Sequence, residues 1–98
     1  MIIQIQTAKM EMMNRELKEI RWEKSVKVAV WKKGQIRPDY SPDVLRWDDN
    51  GRIMMWSKYG RTDSRFGWTI EAREPLGEGG VDNIDNLRPV SVFNSEKN

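Results

Sequence analysis

Chemistry in this chain has to come from carboxylates, amides, hydroxyls and arginines. Its 98 residues include 15 Asp and Glu and 17 Lys and Arg, but no His and no Cys. Histidine is the usual general base near pH 7, and His and Cys are common transition-metal ligands. Their absence restricts a metal site to oxygen ligands, which favour Mg²⁺, Ca²⁺ or Mn²⁺. Without thiols the chain forms no disulfide, and a reducing cytoplasm is the expected compartment.

The net charge of +2 is unevenly distributed along the chain. Residues 1–38 carry nine Lys and Arg against four Glu, whereas residues 39–98 carry eight Lys and Arg against eleven Asp and Glu. A surface that binds duplex DNA usually needs a concentrated basic stripe. The acidic balance of residues 39–98 therefore favours a protein partner, and the basic N-terminal segment keeps nucleic acid as an alternative.

Length and hydropathy indicate one small soluble domain. A chain of 98 residues buries a modest core, and its five Trp supply much of the available apolar area. No apolar run approaches the roughly 20 residues that span a bilayer, and the N-terminus lacks the basic start of a signal peptide. Trp47, Trp56 and Trp68 are predicted to lie in the core. For Trp22 and Trp31, core packing and stacking on nucleic-acid bases both stay open.

Two elements are predicted in the N-terminal segment. Residues 2–6 alternate apolar and polar side chains, which is typical of a short strand. From Ala8 to about Lys24 the residues favour a helix. Four apolar residues of this helix share one face through spacings of three and four: Met10, Met13, Leu17 and Ile20. This face is predicted to pack on its own domain, and the alternative is a partner or dimer helix, because methionine-rich faces adapt to varied surfaces.

The middle of the chain is predicted to contain one ambiguous element and one hairpin. Residues 26–33 fit a strand or a helix. Residues 35–43 contain two prolines and are predicted to be an irregular connection. Residues 45–60 predict a β-hairpin, because two apolar segments flank Asn50-Gly51, a strong short-range hairpin signal.

The last third is predicted to contain a strand, a loop and a turn. The strand extends from Trp68 to Ala72. Residues 75–80 are rich in glycine and form a loop, and residues 82–87 form a turn. The last residues, about 89–97, are expected to start a final helix.

Two overlapping stretches resemble a bacterial and phage branch of the HNH endonuclease family. The first is VWKKGQIRPDYSPDVLRWDDNGRIMMWSKYG, and the second is YGRTDSRFGWTIEAREPLGEGGVDNIDNLRPVSVFNSEKN. Their landmarks follow the family's order: GW, a strand ending in an acid, P-L-x-x-G-G, and then D-x-x-x-N-L-x-P. The resemblance covers residues 30–98, about 70 of the 98 residues, and leaves residues 1–29 as an N-terminal strand and helix extension.

The resemblance implies an α+β fold, namely a small single domain with an HNH-like ββα core, a preceding β-hairpin and an N-terminal helix. In the family this ββα unit holds one divalent metal and cleaves phosphodiester bonds. A histidine at the end of the first strand acts as general base, and an asparagine orients it. The metal ligands are the acid before that histidine and an Asn or His on the final helix.

This chain keeps some of the family's functional positions and lacks others. Glu71 matches the metal-binding acid and Asn86 the orienting asparagine, but Ala72 stands where the histidine belongs. The helix ligand counts to Ser95, which is neither Asn nor His, so this position is expected to be a second loss. Asn94 lies one residue early and could complete a Mg²⁺ or Mn²⁺ site with Glu71 if the preceding loop is one residue shorter. Alanine accepts no proton, and loss of a general base typically costs about 10²–10⁴ in rate.

Four arginines flank these positions: Arg61, Arg65, Arg73 and Arg88. If the nuclease site implied by the resemblance has kept its phosphate-binding residues, these arginines would form a phosphate or nucleotide pocket. A planar guanidinium binds phosphate through two parallel hydrogen bonds. The alternative is that they are solvated or paired. Three acids close by in sequence, Glu71, Glu74 and Glu78, would weaken such a pocket.

The pattern predicts a catalytically inactive HNH-like binding protein. Its size and resemblance favour a phage-encoded inhibitor or decoy in the host cytoplasm, acting on a defence nuclease complex or its nucleic-acid or nucleotide ligand. One alternative is a metal-dependent HNH-like endonuclease or nickase with an atypical or mutated site. Another is a structural protein that self-assembles, as a homodimer, through the methionine-rich helix face. Neither a membrane nor a cofactor is expected, apart from Mg²⁺ or Mn²⁺ if a metal binds.

Overall fold

The computed structural model describes residues 22–74 and 84–93. It contains one α-helix and two antiparallel strand pairs, a mixed content compatible with the expected α+β class. The elements are α1 (Lys24–Trp31), β1 (Leu45–Trp47) paired with β2 (Ile53–Met55), and β3 (Trp68–Ala72) paired with β4 (Leu87–Ser91). Single turns of 3-10 helix follow β2 at Trp56–Lys58 and precede β4 at Ile84–Asn86.

Several predictions concern residues outside this described part. They are the strand at residues 2–6, the glycine-rich loop at residues 75–80, and most of the N-terminal helix with its methionine-rich face. Within the described residues, no helix is long and apolar enough to cross a membrane.

Of the ambiguous residues 26–33, those up to Trp31 are helical and belong to α1. The helix predicted from Ala8 to about Lys24 is not observed at residues 22 and 23. Glu23 has an extended backbone, with φ −64° and ψ 152°, and α1 begins at the next residue. The boundary predicted between residues 29 and 30 lies inside α1. The guanidinium of Arg46 donates to the carbonyl oxygens of Lys32 at 3.0 Å and Gly34 at 3.1 Å. It thus satisfies the carbonyl of Lys32, the residue that caps α1, and one carbonyl in the turn that follows.

The predicted hairpin about Asn50-Gly51 is confirmed. Strands β1 and β2 pair antiparallel, with Trp47 opposite Ile53. Gly51 has φ +78°, whereas Asn50 is not among the described residues with positive φ. The amide of Gly51 donates to the Asp48 carbonyl at 2.9 Å. The turn therefore has three residues, a type I turn closed by a left-handed glycine, and is not a two-residue type I′ turn.

The predicted strand from Trp68 to Ala72 is confirmed with the same bounds. The prediction of a final helix from residue 89 is wrong for the described residues, because Leu87–Ser91 is strand β4 and residues 92 and 93 are not helical. The physical reason is that the backbone of β3 offers hydrogen-bond partners, and β-branched Val90 suits a pleated strand. Pro89 lies opposite Ile70 within this pair.

An aromatic cluster fills the space between α1 and β3. The ring centroid of Trp68 lies 5.0 Å from that of Trp31, 5.7 Å from Trp56 and 4.9 Å from Tyr59. Trp31 and Trp68 are buried, and Trp22 packs against the same core. The burial of Trp31 excludes it as a platform for stacked bases. Trp47 is also buried, as predicted, while Trp56 is only partly buried.

Hydrogen bonds join the two strand pairs. The Met55 amide in β2 donates at 2.9 Å to the carbonyl of Phe66, two residues before β3. The Asp48 carboxylate adds a second link, because its Oδ2 accepts a 2.9 Å hydrogen bond from the Ser91 amide. These links place the hairpin turn beside β4.

Candidate functional site

Strand β3 divides its side chains between the core and an outer face. Trp68, Ile70 and Ala72 have no exposed surface. Because side chains alternate along a strand, Thr69 and Glu71 point to the opposite face. Ala72, at the position that the resemblance assigns to the general base, is thus buried opposite Leu87 in β4.

Glu71 belongs to a group of four charged side chains, which we name the charge cluster: Asp49, Glu71, Arg73 and Arg88. One guanidinium nitrogen of Arg88 lies 3.9 Å from Glu71 Oε1, and the other lies 3.8 Å from Asp49 Oδ2. Arg73 approaches the same Asp49 oxygen at 3.4 Å. All four side chains are partly exposed, so each of these pairs contributes less than about 1 kcal/mol to stability.

Lys33 lies at the same end of the β3–β4 pair. Its ammonium group donates to the carbonyl oxygen of Leu87 at 2.7 Å and also to that of Ile84. Partial burial lowers the pKa of Lys33, the nearby charge of Arg73 lowers it further, and Asp85 acts in the opposite direction. Lys33 therefore ties the end of α1 to the start of β4.

Asn86 closes the end of the β3–β4 pair. Its side-chain oxygen accepts from the Glu74 amide and its side-chain nitrogen donates to the Glu74 carbonyl, both at 3.1 Å. The Arg73 amide donates to the Asn86 carbonyl at 2.8 Å. Asn86 thus holds the backbone directly after Ala72.

A cleft of about 310 Å³, which we name the Glu71 cleft, opens on the outer face of β3. This volume lies at the lower end of the range of small-ligand sites. One acid, one arginine, two aromatic residues, three Ser or Thr residues, one glycine and one valine line it: Arg52, Tyr59, Gly60, Thr62, Thr69, Glu71, Ser91, Val92 and Phe93.

Two polar groups of the Glu71 cleft are poorly satisfied by the protein. The Tyr59 hydroxyl is buried and makes no hydrogen bond to any other described residue. Burial raises the pKa of Tyr59, and the nearby Thr69 hydroxyl opposes this without reaching hydrogen-bond geometry. Within residues 22–74 and 84–93, the only charged partner of the Glu71 carboxylate is Arg88, at 3.9 Å, beyond hydrogen-bond distance.

The structure brings together only two of the four predicted phosphate-binding arginines. Arg73 and Arg88 meet at the charge cluster. Arg61 instead donates twice to the Asp63 carboxylate, at 3.0 and 2.8 Å, and its hydrogen bond lowers the pKa of Asp63. The Arg65 guanidinium lies 5.9 Å from the centroid of the Phe66 ring.

The metal ligands implied by the resemblance are Glu71 and either Asn94 or Ser95. Glu71 is described, but Asn94 and Ser95 lie outside the described residues. In the part of the chain that the structure describes, no three acidic side chains gather where they could hold a metal ion. The charged group facing Glu71 there is Arg88.

Two residues important to this region were not singled out from the sequence. Asp48 precedes the Asn-Gly pair, and an Asp at the start of a turn commonly accepts from backbone amides two residues on. That signal points to the turn alone, and the link from Asp48 to Ser91 has no local signature. Tyr59 reaches the cleft through its contact with Trp68, which depends on the fold.

Comparison with known proteins adds no relative. No protein-family model, curated protein sequence or solved structure matches this chain.

Proposed function

We propose that this chain is a binding protein built on an HNH-like scaffold and that it does not cleave nucleic acid. The observation that carries the proposal is the complete burial of Ala72 on the core face of β3. The position assigned to the general base therefore offers neither a proton acceptor nor access to water.

The surroundings of Glu71 support the same proposal. The acid assigned to the metal lies 3.9 Å from the Arg88 guanidinium, a permanent positive charge that would repel a cation bound there. The antiparallel pair β3–β4 supplies two strands in the order that a ββα unit requires, and Asn86 clamps their end. This arrangement favours a protein that keeps an HNH-like scaffold but no longer cleaves phosphodiester bonds.

Exposed apolar side chains favour a protein as one partner. Three of them lie in the connection between α1 and β1: Ile36 is 60% exposed, Tyr40 50% and Val44 48%. Exposed apolar side chains concentrated in one connection provide surface that a protein partner can bury. A phage-encoded inhibitor or decoy of a host defence complex fits this size and surface.

A plasmid-nicking assay tests the loss of catalysis. Supercoiled DNA is incubated with Mg²⁺ or Mn²⁺ and with the wild type, Glu71→Ala or Glu74→Ala. We expect no nicking above buffer with any of them. Glu74→Ala is the matched control, because it removes a neighbouring acid outside the Glu71 cleft. Nicking by the wild type that persists in Glu74→Ala and disappears in Glu71→Ala would establish a nuclease and overturn the proposal.

A further inference from the structure

We propose that the Glu71 cleft binds a single unstacked guanine base. The inference rests on the proposed binding function, because it assigns Glu71 to ligand recognition and not to a metal. The guanine base that the cleft recognises would belong to a free nucleotide or to a single-stranded nucleic acid.

The first element of recognition is the Glu71 carboxylate. It lines the cleft, is partly buried, and has only the long contact with Arg88 among the described residues. A carboxylate has two acceptor oxygens and no donor. Guanine presents two adjacent N–H donors on its Watson–Crick edge, at N1 and N2, so the two groups match through a pair of parallel hydrogen bonds. Adenine, cytosine and uracil do not offer two adjacent donors there.

The second element is an aromatic surface. Phe93 lines the cleft and keeps 38% of its surface exposed. An exposed ring beside a polar cleft can stack on a planar base, which is how proteins commonly hold bases taken out of a helix. Aliphatic Val92 lies beside it in the lining.

The third element is a set of hydroxyl groups. Thr62, Thr69 and Ser91 line the cleft, and each carries a hydroxyl group. Hydroxyls both donate and accept, so they suit the remaining ring atoms and the sugar of a nucleoside.

Two alternatives are weaker. The opening at α1, which Trp31, Trp56 and Lys32 line among others, measures about 330 Å³, but its only acid is the exposed Asp43, and nothing there selects one ligand. At the charge cluster, Arg73 and Arg88 both approach the Asp49 carboxylate, which would repel an anionic ligand.

The test is a titration calorimetry series on the whole chain with GMP, AMP, CMP and UMP. We expect GMP to bind at least about tenfold more tightly than the other three, because a matched bidentate contact discriminates by that order. A second arm uses pentanucleotides of T with a central G or A. Tight binding of GMP identifies a free nucleotide as the source, whereas preference for G in the oligonucleotide alone identifies a single strand. Both results support guanine recognition.

Glu71→Gln provides the specific variant. The amide keeps the size of the side chain but replaces one acceptor by a donor, which opposes guanine and matches the acceptor–donor pattern of adenine. We expect affinity for GMP to fall by about tenfold or more and the ratio of AMP to GMP affinity to rise. Glu74→Gln, which makes the same charge change outside the cleft, should bind as the wild type does.

Phe93→Leu tests the ring. It should weaken the binding of GMP by about tenfold, whereas Tyr40→Leu, which removes another exposed ring, should not. Thermal melts of each variant verify that it is folded. The proposal is overturned if no mononucleotide or oligonucleotide binds, if all four bases bind equally, or if Glu71→Gln and Glu74→Gln have the same effect. These results are independent of the nicking assay, so the failure of one proposal is distinguishable from the failure of the other.

Discussion

Asp48 is predicted to be the most important single carboxylate for the stability of this fold. Its side chain is 2% exposed and accepts three backbone hydrogen bonds, each of 2.9 Å. Oδ1 accepts from the amides of Asn50 and Arg52 in the hairpin turn, and Oδ2 accepts from the Ser91 amide in β4. The substitution Asp48→Ala removes all three acceptors at once.

The expected loss follows from these contacts. A hydrogen bond to a charged group contributes about 1.5–3 kcal/mol net. Water can replace part of the two bonds in the hairpin turn, because Asn50 is exposed, whereas the amide of Ser91 is half-buried between the strand pairs. We therefore expect Asp48→Ala to lower the free energy of unfolding by about 3–5 kcal/mol, a large part of the stability of a small domain. Asp48→Asn retains one oxygen and should lose about half as much.

Urea unfolding followed by tryptophan fluorescence measures this loss, because Trp47 directly precedes Asp48. The midpoint for Asp48→Ala should fall by roughly 2 M relative to the wild type. Asp49→Ala is the matched control. The Asp49 carboxylate is 45% exposed, and its ion pairs among the described residues are those with Arg73 at 3.4 Å and Arg88 at 3.8 Å. This substitution should therefore lower the free energy of unfolding by less than about 1 kcal/mol. Equal and small losses in the two variants would refute the reasoning that Asp48 joins the hairpin to β4.

Two further predictions concern Gly67 and Tyr59. A Cβ atom at Gly67 would lie 1.8 Å from the Arg61 carbonyl oxygen, so Gly67→Ala should cost about 3 kcal/mol in urea unfolding. Gly60→Ala meets no atom within 4 Å and should cost only about 1 kcal/mol for its φ of +76°; equal costs would contradict the steric argument. Burial raises the pKa of Tyr59 above its unfolded value of about 10, so the fold favours the protonated phenol. Its contribution is present at lower pH and is lost as pH rises beyond about 10, so the wild type should lose more stability than Tyr59→Phe between pH 8 and pH 11, and parallel losses would exclude this role.

The sequence by itself determined the hairpin and strand β3. Asn50-Gly51 between two apolar segments predicts a reversal of the chain, because few residue pairs permit the tight turn. The run from Trp68 to Ala72 begins with three strand formers, Trp, Thr and Ile, and its bounds agree with the structure. The predicted core positions of Trp47 and Trp68 also agree, because large aromatic rings gain most from burial.

Only the tertiary structure decided the character of residues 26–33 and of β4. Val26, Val28 and Val30 fit either a strand or a helix, and the outcome depends on packing and on Arg46, which reaches the end of α1 from β1. Leu87–Ser91 is a strand because β3 provides its hydrogen-bond partners from a distant part of the chain. A local pattern contains no information about such a partner.

The same distinction applies to the candidate site. The sequence identified Glu71, Ala72 and Asn86 as the positions to examine, because their residue types determine which protons they can donate or accept. The register of β3 against β4 decided that Ala72 is buried and that Glu71 faces Arg88. Side-chain chemistry is a property of each residue, whereas burial and the choice of ionic partner arise from contacts between residues far apart in the chain.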